Sequence, residues 1–115
     1  MNATAYKIVR AEDWQKAKKA RIFKGSPEDI RDGFLHFSTG RQVRATAERY
    51  FRGQEGLVLV AADVTALGEA LKWEISRGGE KFPHLYGALP MSAVLWIKPM
   101  TLGPDGRHLF PDEIP

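Results

Sequence analysis

The sequence predicts an α+β fold, a single domain whose helices come early and whose sheet comes late. Three observations lead there. In the first half, strand-forming runs alternate with stretches of helical period. From Leu57 onward, strand signals follow one another across short turns. Only one substantial helix both follows a strand and precedes another, which argues against a doubly wound parallel sheet. The 115 residues are one domain's length. A chain of this size buries somewhat under ~70% of its unfolded surface, enough to fold without a staple. The core is expected over residues 6–99, with 100–115 as a Pro-rich tail.

Tyr6-Lys7-Ile8-Val9 is rich in strand formers and reads as a first strand. Ala11 to Ala20 reads as a helix: Asp13 suits the positive end of its dipole, Trp14 and Ala17 make an apolar face, and Lys16, Lys18 and Lys19 a wet one. Lys24-Gly25 is expected to break it. Ser26-Pro27-Glu28-Asp29 looks like a helix start, with a capping Ser, a first-position Pro and a carboxylate three on. Gly33 ends that short helix. Phe34-Leu35-His36-Phe37-Ser38 is a second strand, and the Thr39-x-x-Gln42 capping box opens a helix that should run to about Arg52, with Val43, Ala47, Tyr50 and Phe51 on its apolar face. Leu57 to Ala62, apolar throughout, is a buried strand. Val64 to Leu67 makes one helical turn closed by Gly68. Leu71 to Ile75 is a short strand, and Ser76-Arg77-Gly78-Gly79 a turn or mobile loop. Pro83 confines its stretch to a strand edge or loop. Val94 to Ile97 is the last clear strand. The tail carries Pro99, Pro104, Pro111 and Pro115 and is expected to wrap over the surface, with His108 solvated.

Composition narrows the class. Hydrophobic residues at 43% and charged residues at 27% are the balance of a globular chain and not of a disordered one. Cysteine is absent, which excludes disulfides, thiolate metal sites and cysteine nucleophiles, and suits a reducing compartment. The longest apolar run, Leu57 to Ala62, is far short of the ~20 residues of a membrane span. Met1 to Lys7 lacks a charged segment followed by an apolar block, so no secretory signal is expected. The expectation is a soluble cytoplasmic monomer or small homo-oligomer. Charge is uneven: residues 1–56 hold 12 basic and 7 acidic side chains, residues 57–115 hold 5 and 7. Many of these charges can pair locally, as Arg44, Glu48 and Arg52 do at successive i, i+4 spacing. With no zinc-finger or phosphate-loop signature, nucleic acid ranks last among partners.

Three groups of residues could carry chemistry. His36 and Ser38 share one face of their strand, opposite Leu35 and Phe37. With Thr39 they stand just ahead of a helix start, a cradle for phosphate or ribose. Taken alone, Thr39 reads first as a cap, and His36 reads equally as a half-buried strand residue. Phe82-Pro83-His84-Leu85-Tyr86-Gly87 sets phenyl, imidazole and phenol in a rigid frame suited to stacking on a ring, or to a small satellite core. Trp73-Glu74 places a carboxylate beside an indole, either a general base of raised pKa or an exposed Glu on a two-faced strand. His36, His84 and Glu74 would together make a two-His, one-carboxylate metal site, but the spacing is long, and no metal is assigned.

The strings Tyr6-Lys7-Ile8-Val9, Gly33-Phe34-Leu35-His36-Phe37-Ser38-Thr39, Trp73-Glu74 and Phe82-Pro83-His84-Leu85-Tyr86-Gly87, with Trp14, resemble a bacterial family, domain of unknown function 952. The resemblance runs from about Tyr6 to Pro99. It implies an ADP-ribosyltransferase-like fold, a split β-sheet holding NAD in a cleft. The segment Gly33 to Tyr50 is similar to the strand and helix below the nicotinamide ribose in that superfamily, and to the His-containing strand of RNA 2′-phosphotransferases. On that resemblance His36 contacts ribose or phosphate, Ser38 and Thr39 border the pocket, and Lys7 stands in for the usual ribose-binding His or Arg. NAD-cleaving transferases carry a catalytic Glu on a late strand, whereas Val94 to Lys98 holds none. Glu74 or His84 is the candidate for that place.

The resulting expectation is an ADP-ribosyltransferase-like protein acting on NAD or a phosphate-bearing nucleotide. His36, Glu74 and His84 are the candidate catalytic groups, and Lys7, Ser38, Thr39, Trp73, Phe82 and Tyr86 the candidate ligand contacts. NAD would be a substrate, with no resident cofactor. A non-catalytic module holding a nucleotide-like ligand is the alternative, and a metal enzyme a third.

Overall fold

The computed structural model describes residues 3–114; Met1, Asn2 and the tail's last proline, Pro115, lie outside the described residues. Strand β1 (Thr4–Arg10) leads into helix α1 (Ala11–Ala20), which buries Trp14 and Ala17 and carries Glu12 and Asp13 in its first turn and Lys18 and Lys19 in its last. The helix ends at Ala20, as the sequence predicts, ahead of the Lys24-Gly25 break. Arg21 takes a left-handed conformation at φ 64°, and its N–H reaches back to Ala17 and Lys18. That leaves Ile22 and Phe23 free to form β2 (Ile22–Phe23), which no local signal announces. Helix α2 (Pro27–Asp32) starts as the sequence predicts, with a reciprocal Ser26–Asp29 capping box and Pro27 in its first turn, and Gly33 closes it at φ 85°.

The second predicted strand is paired over two residues, β3 (Leu35–His36). Helix α3 (Val43–Tyr50) begins later than the Thr39 box predicts. Gln42 Oε1 does accept the Thr39 N–H at 3.0 Å, but the Thr39 carbonyl accepts from both Gln42 and Val43, so the box closes a turn ahead of the helix. Next come β4 (Leu57–Asp63), the single turn α4 (Val64–Leu67) capped by Asp63, β5 (Leu71–Ile75), β6 (Lys81–Leu85), β7 (Leu89–Pro90), β8 (Val94–Leu102) and β9 (His108–Leu109).

An antiparallel sheet of order β1-β4-β8-β9 forms the body, with Tyr6 opposite Ala61 and Val60 opposite Ile97. Both faces of its centre are covered, which is why Leu57 to Ala62 is apolar without a break. Val9, Val60 and Ala62 pack with Trp14, Phe23 and Leu85 on one face. Ile8, Leu57 and Leu59 pack with Val43, Ala47 and Ile114 on the other. Each fully buried aliphatic contributes about 1.5–3 kcal/mol. A second sheet, β3-β6-β5, pairs Leu35 with Leu85 and His36 with His84. It meets the first at one bridge: Tyr6 N–H donates to Ser38 O at 2.7 Å, and Ser38 N–H to Tyr6 O at 2.8 Å. β2 and β7 pair separately.

Two further expectations are corrected here. Pro83 sits in β6, the middle strand of its sheet, and not at an edge or in a loop. Pairing with β3 spans only His84 and Leu85, and at Pro83 only the carbonyl is engaged, by the Phe37 N–H at 3.0 Å, so the missing N–H leaves no gap there. The tail, in turn, is part of the body. β8 runs on to Leu102, β9 adds a fourth strand, and Ile114 is buried. His108 is buried rather than solvated, and its Nε2–H donates to Gln54 O at 2.7 Å. No helix among the described residues is long and apolar enough to cross a membrane.

Candidate functional site

Lys7 faces the α1 side of β1, between Ala5 and Val9, and is 5% exposed. A cation there requires a partner. Asp29 supplies it: Lys7 Nζ lies 3.0 Å from Asp29 Oδ1 and 2.9 Å from Oδ2, and also donates to the His36 carbonyl at 2.9 Å. The same carboxylate accepts the Ser26 N–H, the His36 N–H and His36 Nδ1–H, the last at 2.7 Å. Burial alone would raise the Asp29 pKa, but the His36 hydrogen bond, the Lys7 charge and the two backbone donors outweigh it and hold the group far below the usual carboxylate range. Burial pushes the Lys7 pKa down, against the pull of Asp29. His36 Nε2 faces Asp32 Oδ2 at 2.9 Å, so carboxylates of α2 fix both ring nitrogens.

His84 lies opposite His36 in the second sheet, with ring centroids 5.7 Å apart. Glu74 Oε1 sits 2.9 Å from His84 Nδ1 and accepts the Tyr86 hydroxyl at 2.7 Å. Those two hydrogen bonds, Tyr86 first, lower the Glu74 pKa. Of the two sequence readings, the exposed Glu on a two-faced strand is the one that holds, and the base of raised pKa is not: Glu74 is half exposed and accepts both hydrogen bonds. Phe34 joins the group as a platform. Its ring stacks on His84 at 4.1 Å and tilts against His36 at 4.6 Å and Tyr86 at 5.2 Å.

A cleft of about 520 Å³ opens along β1, α2, β3, α3 and β6. His36, His84, Lys7, Ser38 and Phe82 line it, together with Arg77 of the β5–β6 turn. Ser38 Oγ lies 3.1 Å from Thr46 Oγ1. Since Glu74 takes Nδ1, His84 Nε2 is left for the cleft. This is a base held by a third group, beside a cavity able to admit a small molecule.

A family model described as a protein of unknown function, DUF952, matches residues 8–97. The chain belongs to the DUF952 family. The match contains both the Gly33–Thr39 and the Phe82–Gly87 strings, so the residues facing the cleft from β3 and β6 lie within the DUF952 region. The fold is similar to the crystal structure of protein CC0527 from Caulobacter crescentus, at 45% identity and a TM-score of 0.92, covering 96% of this chain and 97% of that one. The solution NMR structure of CC0527 gives 47% identity and a TM-score of 0.82, covering 90% of each chain. No curated protein matches the chain.

Within this DUF952 domain, the three candidate catalytic residues converge: His36 and His84 touch edge to face, and His84 is bonded to Glu74. Lys7, Ser38 and Phe82 line the cleft, but the Lys7 ammonium is held by Asp29 and the His36 carbonyl. Thr39, Trp73 and Tyr86 do not line it. Trp73 opposes Pro83 on the other face of β5 and is 45% exposed, while Tyr86 reaches the site through Glu74 and Phe34. Among the described residues no group of three or more His, Asp or Glu side chains is arranged to hold a metal ion. The sequence reading missed Asp29, Phe34, Asp32, Tyr50 and Arg77. Asp29 was visible as a capping carboxylate, and Phe34 shares the His36 face by alternation, so a signal existed for both.

Proposed function

We propose that this cleft binds a phosphate-bearing nucleotide of the NAD class and that His84 acts on its ribose as an acid/base. One observation carries the reading: Glu74 holds Nδ1 of a buried histidine that lines a nucleotide-sized cleft and has Nε2 left over. An ionised carboxylate on Nδ1 fixes the tautomer that leaves Nε2 basic, and stabilises the ring once it takes up a proton. The split sheet joined at Tyr6 and Ser38, with the cleft beside that junction, supports the ADP-ribosyltransferase-like reading of the fold.

The chemistry is substitution at the ribose anomeric carbon. The carbon–nitrogen bond to nicotinamide breaks and nicotinamide departs neutral. A new carbon–oxygen bond forms to water or an acceptor hydroxyl, whose proton passes to His84 Nε2. His36, held at both ring nitrogens by Asp29 and Asp32, lines the ribose side of the cleft, and those carboxylates sit near the positive charge that develops on the ring. The test is nicotinamide release from NAD, compared with the His84→Gln and Glu74→Gln variants. Loss of a general base predicts a fall of about a hundredfold or more in His84→Gln. Unchanged release in that variant would sink the assignment.

Two observations favour the second reading, a module that binds without chemistry. Glu74 lies outside the cleft lining, and Asp29 is occupied by Lys7 and His36. NAD binding with no nicotinamide release by the wild type would decide for that module.

A further inference from the structure

Arg77 is half-buried, and no carboxylate pairs with it among the described residues. Its guanidinium lies over two rings, Phe82 at 5.1 Å and Tyr50 at 5.6 Å. One of its N–H groups donates to Thr46 Oγ1 at 3.2 Å. The remaining donors have no carboxylate to meet, and a planar fork with free donors matches phosphate oxygens. Backbone geometry aims it. The turn closes with Ser76 N–H donating to Glu80 O at 2.8 Å, and Gly78 and Gly79 take φ of 69° and 76°, which only glycine adopts cheaply. A side chain on so tight a turn lies back over the β6 face instead of reaching into solvent.

The surroundings agree. Arg49 lies over the same Tyr50 ring at 5.6 Å. A hydrogen bond from Arg49, with a further one from Arg77, outweighs partial burial and lowers the Tyr50 pKa, so the local field is positive. Thr46 Oγ1 donates to Gln42 O at 3.2 Å and accepts from Arg77, which fixes the guanidinium at the cleft. Phe82 and His84 share one face of β6, one same-face step or roughly 7 Å apart.

We propose that Arg77, held by Thr46 and Tyr50, forms a phosphate subsite one strand step from His84. It takes the diphosphate of the ligand and so sets the ribose beside His84. The proposal rests on the nucleotide reading only for what the phosphate is attached to; the anion site stands on Arg77 itself.

The experiment is calorimetric titration with inorganic pyrophosphate, and separately with NAD, of the wild type and of Arg77→Ala, Arg77→Lys and His84→Gln. The wild type is expected to bind pyrophosphate saturably, and more weakly as salt is added. Arg77→Ala should lose tenfold or more in affinity. Arg77→Lys, which keeps the charge but not the fork, should fall between the two, and His84→Gln should bind pyrophosphate as the wild type does. Absence of pyrophosphate binding, or equal binding by Arg77→Ala, overturns the subsite. If pyrophosphate binds through Arg77 while NAD does not bind, the subsite stands and the nucleotide reading falls. If NAD binds equally to the wild type and Arg77→Ala, the subsite falls and the nucleotide reading stands.

Discussion

The Phe34 ring lies on the His84 ring, centroids 4.1 Å and planes 25° apart. Phe34 also touches His36 and Tyr86, so one side chain links the two sequence strings that carry the site. It packs against the face of His84 while Glu74 fixes the edge at Nδ1.

Removing the platform should loosen both histidines. Phe34→Ala loses three aromatic contacts at a half-buried position and should destabilise the domain by about 2 kcal/mol. Ligand affinity should drop by tenfold or more, and Phe34→Leu should recover most of the stability but less of the affinity. Chemical denaturation and calorimetry on the same samples separate the two effects.

Asp29 is the counter-charge of a buried lysine. Asp29→Asn strands Lys7 as an unpaired cation and should cost about 3–5 kcal/mol. Lys7→Met in the same chain should restore much of that loss, because the uncompensated charge is then gone. Urea unfolding of the two single variants and the double variant measures the coupling.

The acid side of the stability curve follows from the same carboxylate. Asp29 has a folded pKa depressed below its ordinary 3.8. Its contribution is therefore fully present above that value and is lost as pH falls from there toward the folded pKa. The wild type should lose stability steeply below about pH 4, and Asp29→Asn should show a shallower acid limb. Thermal midpoints across the acid range test this.

The tail should behave as core. Ile114 is 2% exposed and packs with Val43, Ala47 and Leu59. Ile114→Ala should cost about 2–5 kcal/mol. A loss below about 0.5 kcal/mol, the size of an ordinary surface change, would show that the tail only rests on the surface.

What was legible in the sequence follows from the range of the forces that decide each element. The alternation of Leu35 and Phe37 against His36 and Ser38 is a local signal, and the structure puts the first pair in the core and the second on the cleft. The apolar run Leu57–Ala62 likewise announced a strand covered on both faces. Non-local partners left no such mark. Asp29 reads locally as a cap, and only the fold brings Lys7 to it from 22 residues away. His108 stands among Gly, Pro and Arg in sequence, yet Gln54 meets it from 54 residues upstream. Trp73 and Glu74 are neighbours in sequence but lie on opposite strand faces, so only Glu74 reaches His84. Arg77 sits in a Gly-rich turn, and nothing local points it at Tyr50 and Phe82.

The central claim, a nucleotide cleft lined by His36 and His84, is tested most directly by titrating isotope-labelled protein with NAD and following its backbone amide NMR signals. The account predicts saturable shifts concentrated at His36, Ser38, Arg77 and His84, with β9 and the outer face of β5 unmoved. Saturating NAD without shifts at those residues, or with shifts confined to another surface, would contradict it.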